Sequence, residues 1–419
     1  MRGFSTRAAL ALLAAGVLAA LTAAAGSAKT LSPSAAKATT VTLSGWTSSG
    51  VERTALDKTI AAFEASHPSI KVDYQPINGD YAATMLAKFS ARKPPDVFYA
   101  DSGTQFLDWA KIGALEPLDS YVKKSGFNTK KFFPRLLSAF RYKGHIYGFP
   151  KDWSSLAMET NNSILKKYKL KVPKTWAQLR YVATRLRARG PLPNNAMPLC
   201  LDPDWARLTA FILENKGDLL NARKTRATVN TKAVNAAVKY YLGFVNKGQA
   251  APHDKLGSTW CGEAFGKQRA AIIFEGPWVV PYMTQNFPGV GYTVSAMPKG
   301  KVRGTLGFTV SYSMARDSNN KQAAWTLISW LTGKSGMRVW TSGGIALPSR
   351  TDVPVPSGKG NTIFVGQGKY ARAWSYVPGF NAVYNTANNE LQAVFQSKES
   401  VSAMLRKVQA AMQSAVASG

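Results

Sequence analysis

From Val41 onward, short apolar runs alternate with segments whose apolar positions recur at helical spacing, the mark of strands and helices laid down in turn. "VTLSGWT" reads as a strand. In "VERTALDKTIAAFEASHP", Leu56, Ile60 and Phe63 share one helical face, and His67-Pro68 ends the helix. "IKVDYQPI" is a second strand, "DYAATMLAKFSARKPP" a second helix opened by Asp80 as its N-cap, and "DVFYADS" a third strand. The chain therefore opens as βαβαβ, with loops after Leu43, Ile77 and Ala100 at the edge where open α/β sheets bind ligands.

The rhythm changes at "YKGHIYGFPKDWSSLAMETNNSIL", which runs strand to strand with no long helix between and is broken by Pro150. We read it as a first crossing into a second lobe. Helices follow in "KTWAQLRYVATRLRARG", with Trp176, Leu179 and Val182 on one face, in "DWARLTAFILENKG" and in "TKAVNAAVKYYLGFVNKG". The run "AAIIFEGPWVVPYM", Ala270 to Met283, then reads as an interior strand ended by a carboxylate, a Gly-Pro turn and a large aromatic. Such a turn delivers the next side chain to a sheet edge, so Trp278 is either a lid on the core or a platform for something bound. Strands in "GVGYTVSAMP" and "GTLGFTVSYSMA", the helix "NNKQAAWTLISWLTG" and a helical C-terminus complete the pattern, without a solenoid repeat.

With 419 residues, 45% hydrophobic and 11% aromatic, the chain is large enough for two cores. Its N-terminus places Arg2 and Arg7 before an apolar run from Ala8 to Ala25 and small residues ending at Ala28, the order of a secretory signal peptide over 1–28. An uncleaved membrane anchor is the alternative, and 29–40 reads as a flexible leader. No cysteine near the cut offers a lipid attachment point. The two cysteines, Cys200 and Cys261, are expected to form a disulfide in an exported chain, with two buried thiols as the alternative. The formal charge of +30 favours anionic surroundings, but the cations are spread along the chain with no dense block and no nucleic-acid-binding signature. The charge reads as surface adaptation, or as electrostatic retention in place of a lipid anchor.

Seven fragments in order resemble one family: "IAAFEASHPSIKVDYQ", "KPPDVFYADSGTQFLDWAKIGALEPLDSYV", "YKGHIYGFPKDW", "LKVPKTWAQL", "FGKQRAAIIFEGPWVVPYM", "NNKQAAWTLISWLTGKSGMRVWTSGGIALPSR" and "NELQAVFQSKESV". They are similar to the extracellular solute-binding proteins of ABC importers, in the sugar-binding branch that includes maltose-binding protein. The resemblance implies an α/β periplasmic-binding-protein fold, two lobes each built on a mixed sheet flanked by helices, with a hinge between them. It divides the chain into 41–150 plus 308–345 and 151–307 plus 346–419. It also implies a carbohydrate held in the interlobe cleft, delivery to a transmembrane permease, a monomer, and a place in the periplasm or on the outer face of the cell membrane. Two departures stand out: "METNNS" replaces a frequent Tyr-Asn pair after the first crossing, and the lipid-modified cysteine of Gram-positive members is missing.

A sugar ring has an apolar C–H face and a rim of hydroxyls, so its site needs flat aromatics and fixed polar groups. Trp278 is the first candidate for stacking, because Gly276-Pro277-Trp278 matches the family's Gly-x-Trp turn, and Glu275 is the neighbouring hydroxyl acceptor; a helix cap or a hinge salt bridge is its alternative. Trp46 and Ser48 follow the first strand, and Asp101 follows the third, where it reads equally well as an N-cap. Asp152 and Trp153 lie at the first crossing, Trp205 opens a helix of the second lobe, and Arg350 in "LPSR" offers a forked donor. Trp374 and Phe380 read as core or rim, and Tyr81 and Trp260 are left out of the site. His67, His145 and His253 are isolated, so no metal and no cofactor is expected. Two rival functions remain: the same fold holding iron, phosphate or a polyamine, and an exported glycosidase using Glu275 with Asp101 or Asp152 as its carboxylate pair.

Overall fold

The alternating pattern folds into two mixed five-stranded sheets, described in a computed structural model for residues 38–46, 50–374 and 376–419. The expected signal peptide, the leader as far as residue 37, and Ser48 lie outside the described residues. The first sheet has the order Ile70–Pro76, Thr39–Gly45, Val97–Asp101, Val310–Met314, Gly148–Pro150. Its first three strands are parallel, as a βαβαβ start requires, and the last two join antiparallel. The first strand begins two residues before Val41, since Thr39 and Thr40 pair with Ile70 and Lys71. Leu56 and Phe63 bury one face of the helix Gly50–Ser66. Asp80 caps the helix Tyr81–Ser90 by accepting from the Ala83 N–H at 3.0 Å.

The second sheet has the order Ala250–Ala251, Met197–Cys200, Ala270–Glu275, Ala157–Asn161, Tyr292–Ser295. Ala270–Glu275 is its central strand and every one of its residues is buried. Ile272 and Phe274 enter one core cluster, while Ile273 between them enters another on the opposite face. Burial on both faces explains why this strand is a continuous apolar run rather than an alternating one.

The lobes are joined by three stretches of chain. Ser154–Ser155 pairs antiparallel with Gly307–Phe308, in a small sheet that also holds Ala371–Ala373. Trp153 and Leu347 exchange backbone hydrogen bonds of 2.9 and 2.8 Å, which fastens the third stretch to the first. On either side of Leu347, Ile345, Ala346 and Val353 pack in the core of the first lobe, and Phe364 further on packs in the second.

Cys200 and Cys261 form the expected disulfide, with Cα atoms 5.6 Å apart, and it ties the end of Met197–Cys200 to the start of the helix Cys261–Gly266. The bond closes a loop with a sequence separation of 61, so it restricts the unfolded chain considerably. Replacing both cysteines by serine should lower unfolding free energy by about 2–4 kcal/mol. Urea denaturation checks this; an unchanged midpoint would show that the loop is already constrained without the bond.

Candidate functional site

Between the lobes lies a cavity of about 580 Å³, within the range of small-molecule sites. The first lobe contributes Trp46 and Trp340, the second Trp260, Trp278 and Tyr282, and Phe308 comes from the hinge sheet. Polar groups are interspersed on the same walls: Asp101, Lys151, Asp152, Ser154, Thr259 and Thr309. Flat apolar faces therefore approach from both sides of a floor rich in donors and acceptors.

Trp278 is held by its own turn. Gly276 and Pro277 end the central strand, their carbonyls accept from the N–H groups of Val279 and Val280 at 3.1 Å, and the helix Val279–Asn286 begins. The indole folds back over Gly276, where a Cβ would lie 2.2 Å from the ring, so only glycine fits. The indole N–H donates to Glu275 Oε2 at 3.0 Å. Glu275 is itself 1% exposed and receives Arg207 on both oxygens, at 3.2 and 2.6 Å. Arg207 also pairs with Asp204. Burial raises the Glu275 carboxyl from its ordinary value while Arg207 pulls it down.

The opposite wall is organised as firmly. Trp46 packs edge-on against Tyr81 and Tyr99, with ring centroids 5.1 and 5.2 Å away. Asp101 Oδ1 accepts from the N–H groups of Gly103 and Thr104 and from the Thr104 hydroxyl, each at 2.9 Å. Its Oδ2 has no hydrogen-bond partner among the described residues, and burial raises the carboxyl from its ordinary value. On the floor, Asp152 Oδ2 receives Lys151 Nζ at 2.5 Å and the Trp340 indole N–H at 2.7 Å. The Lys151 ammonium lies 4.1 Å from the Trp340 ring centre.

A family model for bacterial extracellular solute-binding proteins matches residues 47–338. The chain belongs to this family. Among its relatives, a candidate binding protein of Brucella abortus is 24% identical over 356 residues, covering 82% of this chain and 85% of the relative. The maltotriose-binding protein of Pyrococcus abyssi is 27% identical over 237 residues, covering 54% of this chain and 49% of the relative. The fold is shared with an ABC substrate-binding protein of Listeria monocytogenes solved with cycloalternan, at TM-score 0.82 and 20% identity, covering 90% of this chain and 98% of that one. It is shared also with the GacH receptor of Streptomyces glaucescens, solved unliganded and with acarbose, at TM-score 0.79 and 21% identity, covering 91% and 99%. This solute-binding chain thus has the two-lobed periplasmic-binding-protein architecture.

The structure brings together Trp46, Asp101, Asp152 and Trp278 of the expected site residues, with Gly276 beneath the Trp278 ring. Four others lie elsewhere. Glu275 is sealed behind Trp278 in its ion pair, so it positions the indole instead of meeting a hydroxyl. Trp205 is fully buried in the second lobe's core, because its helix turns its first residue inward. Trp153 is buried beneath the third interlobe stretch, its indole N–H donating to the Pro348 carbonyl at 3.1 Å. Arg350 is directed away from the cleft, forked onto Asp352 at 2.8 and 2.9 Å and lying 5.0 Å from the Phe132 ring centre. Trp260, set aside on sequence grounds, and Tyr282, Phe308 and Trp340 are the aromatics missed. The cysteine beside Trp260 was the available signal, since the disulfide at Cys261 holds that turn against the sheet. Among the described residues, one set of side chains is close enough to share an ion, Cys200, Asp202 and Cys261, and the disulfide occupies both sulfurs.

Glu159, within the unusual "METNNS", is fully buried beside Glu275. Its Oε2 accepts from the Glu275 N–H at 3.1 Å, and its Oε1 has no partner among the described residues. Burial, and then the Glu275 carboxylate, push it well above the ordinary 4.5. The folded chain therefore keeps a proton that the unfolded chain releases, and stability falls as pH rises above about 4.5 toward the folded value. Glu159→Gln should raise the melting temperature, with the gain over the parent widening between about pH 5 and about pH 8. Paired thermal melts check this; a gap that does not change with pH would mean that Glu159 ionises in the fold.

Proposed function

We propose that this chain captures a carbohydrate in the interlobe cleft and delivers it to the membrane permease of an ABC importer. The observation that carries the reading is the facing of tryptophans from two lobes across a hydrogen-bonding floor. Sugar C–H faces would lie against Trp278 and Trp260 on one side and Trp46 on the other. The Asp101 Oδ2, Thr259 and Asp152 would meet the hydroxyl rim. Named relatives that hold maltotriose, cycloalternan and acarbose support the same substrate class.

Capture needs no covalent step. Ligand bound on one lobe favours the closed form by its added contacts with the other, and that differential affinity is what a permease would read. A glycosidase pair finds less support, because Glu275, one of the two carboxylates it requires, is locked onto Arg207 behind the cavity wall. Iron and phosphate also find less support, since Lys151 and Asp152 are already paired with each other and the indole N–H groups of Trp278 and Trp340 are already donated to Glu275 and Asp152.

The test is a thermal-shift screen of the chain from Lys29 onward against mono- and oligosaccharides, with iron, phosphate and polyamines alongside; a ligand of the folded state raises the melting temperature by mass action. A shift with one sugar class is expected, and a response to iron, phosphate or polyamine alone would overturn the reading. Trp278→Ala should weaken the sugar identified by at least about tenfold, a loss of about 1.4 kcal/mol, with unaltered circular dichroism. An unchanged dissociation constant in titration calorimetry would remove Trp278 from the site.

A further inference from the structure

Between Glu159 and Asp202 the sequence has nine lysines and arginines and no acidic residue. The segment folds into the short helix Asn162–Lys167, a connecting loop, and the helix Trp176–Arg187. Ile164 of the first helix and Leu179, Val182 and Leu186 of the second all bury in one cluster with Leu199 and Phe274 of the sheet. Both helices thus pack on the one core cluster of the second lobe and turn their cations to solvent. The five lysines from Lys166 to Lys174, together with Arg185, Arg187 and Arg189, are exposed. None of the eight forms an ion pair among the described residues. The ninth, Arg180, is turned inward, donating to Gln249 and to the Tyr240 carbonyl at 2.9 and 2.6 Å.

The patch extends across the chain. Lys299 exchanges backbone hydrogen bonds of 2.9 and 3.1 Å with Lys174 and Trp176, which brings exposed Lys299, Lys301 and Arg303 beside the loop. Glu214, which accepts from the Trp176 indole N–H at 2.6 Å through its Oε2, is fully buried. Tyr181 stands on the outer side of the longer helix at 59% exposure, one of few large apolar side chains so exposed.

We propose that this face is a docking surface for an anionic phospholipid bilayer. A face of cations without carboxylates is attracted to a negative headgroup layer, and the attraction sums over the residues near it. An exposed tyrosine among them suits the headgroup boundary, where its ring reaches apolar depth and its hydroxyl stays wet. The fold adds Lys299, Lys301 and Arg303 to the run of cations in the sequence, and a bilayer bound to this face would hold the cleft near a membrane. The surface is independent of what the cleft binds.

The experiment is co-sedimentation of the chain from Lys29 onward with vesicles of phosphatidylglycerol and phosphatidylcholine, and with phosphatidylcholine alone. Binding should require phosphatidylglycerol and should vanish as salt rises from about 0.1 M to about 1 M. Two variants of equal net charge separate this face from bulk charge. Reversing Lys166, Lys171, Arg185 and Arg189 to Glu should weaken binding at least about tenfold, and reversing Lys123, Lys124, Lys130 and Lys131 on the first lobe by no more than about twofold. Thermal melts verify that each variant folds. Hydrogen exchange on the unaltered chain supplies a second reading, with vesicle-dependent protection expected over 162–189. Equal losses in the two variants, protection elsewhere, or no preference for phosphatidylglycerol would each overturn the proposal. So would binding to soluble poly(glycerol phosphate) without binding to vesicles, which would make the partner a wall polymer.

Discussion

The pairing of two strands that cross between the lobes is the constraint on which the rest of the structure depends. Val310–Met314 completes the first sheet although the chain reaches it only after entering the second lobe, and it lies between Val97–Asp101 and Gly148–Pro150. The approach is so close that a Cβ on Gly148 would sit 2.5 Å from the Ser313 hydroxyl, so a larger residue there would part the strands. The ladder continues through the gap: the Lys151 N–H donates to the Val310 carbonyl at 2.8 Å and the Thr309 hydroxyl to the Asp152 carbonyl at 2.7 Å. The residues that connect the lobes are therefore also the floor of the cavity. A ligand resting on Asp152 and Thr309 rests on the pivot, which couples its presence to the angle between the lobes.

Above that floor, the site is built by holding aromatic rings still. Trp278 is fixed by a glycine beneath it and a buried carboxylate at its indole N–H, and that carboxylate is in turn held by Arg207. Removing one partner of such a pair leaves the other charge buried and uncompensated, so the arrangement is rigid even where its net contribution to stability is small. Trp340 is fixed in the same manner by Asp152 and Lys151. Trp260 is fixed covalently at one remove, through Cys261. Preorganised rings lose little freedom on binding, which is what the proposed sugar face would require of them.

The alternation of strands and helices was legible from Val41 onward, as were the crossing at Pro150 and the arrival of Trp278 at a strand end, because each depends on local patterning. Asp101 read equally well as a ligand acceptor or as the N-cap of the next helix, but that helix begins at Phe106 behind Gln105, and Asp101 holds the turn before it through Gly103 and Thr104 while lining the cavity. What sequence could not decide was the direction in which a side chain leaves its element. Trp205 opens a helix and Trp260 immediately precedes one, yet Trp205 turns into a core and Trp260 into the cleft. Trp340 sits in the helix Lys334–Thr341, far along the chain from the strands it meets, and reaches the floor only because Asp152 at the crossing accepts its indole. Glu275 was read as facing a ligand because Arg207, which captures it, lies 68 residues away in sequence.

The measurement that tests the cleft most directly is a crystal structure of the chain with the oligosaccharide that most raises its melting temperature. The account predicts a sugar between the lobes, with a ring face against Trp278 or Trp260 and hydroxyls on Asp101 and Asp152. A sugar bound on an outer surface, or in the cleft without touching a tryptophan, would contradict it.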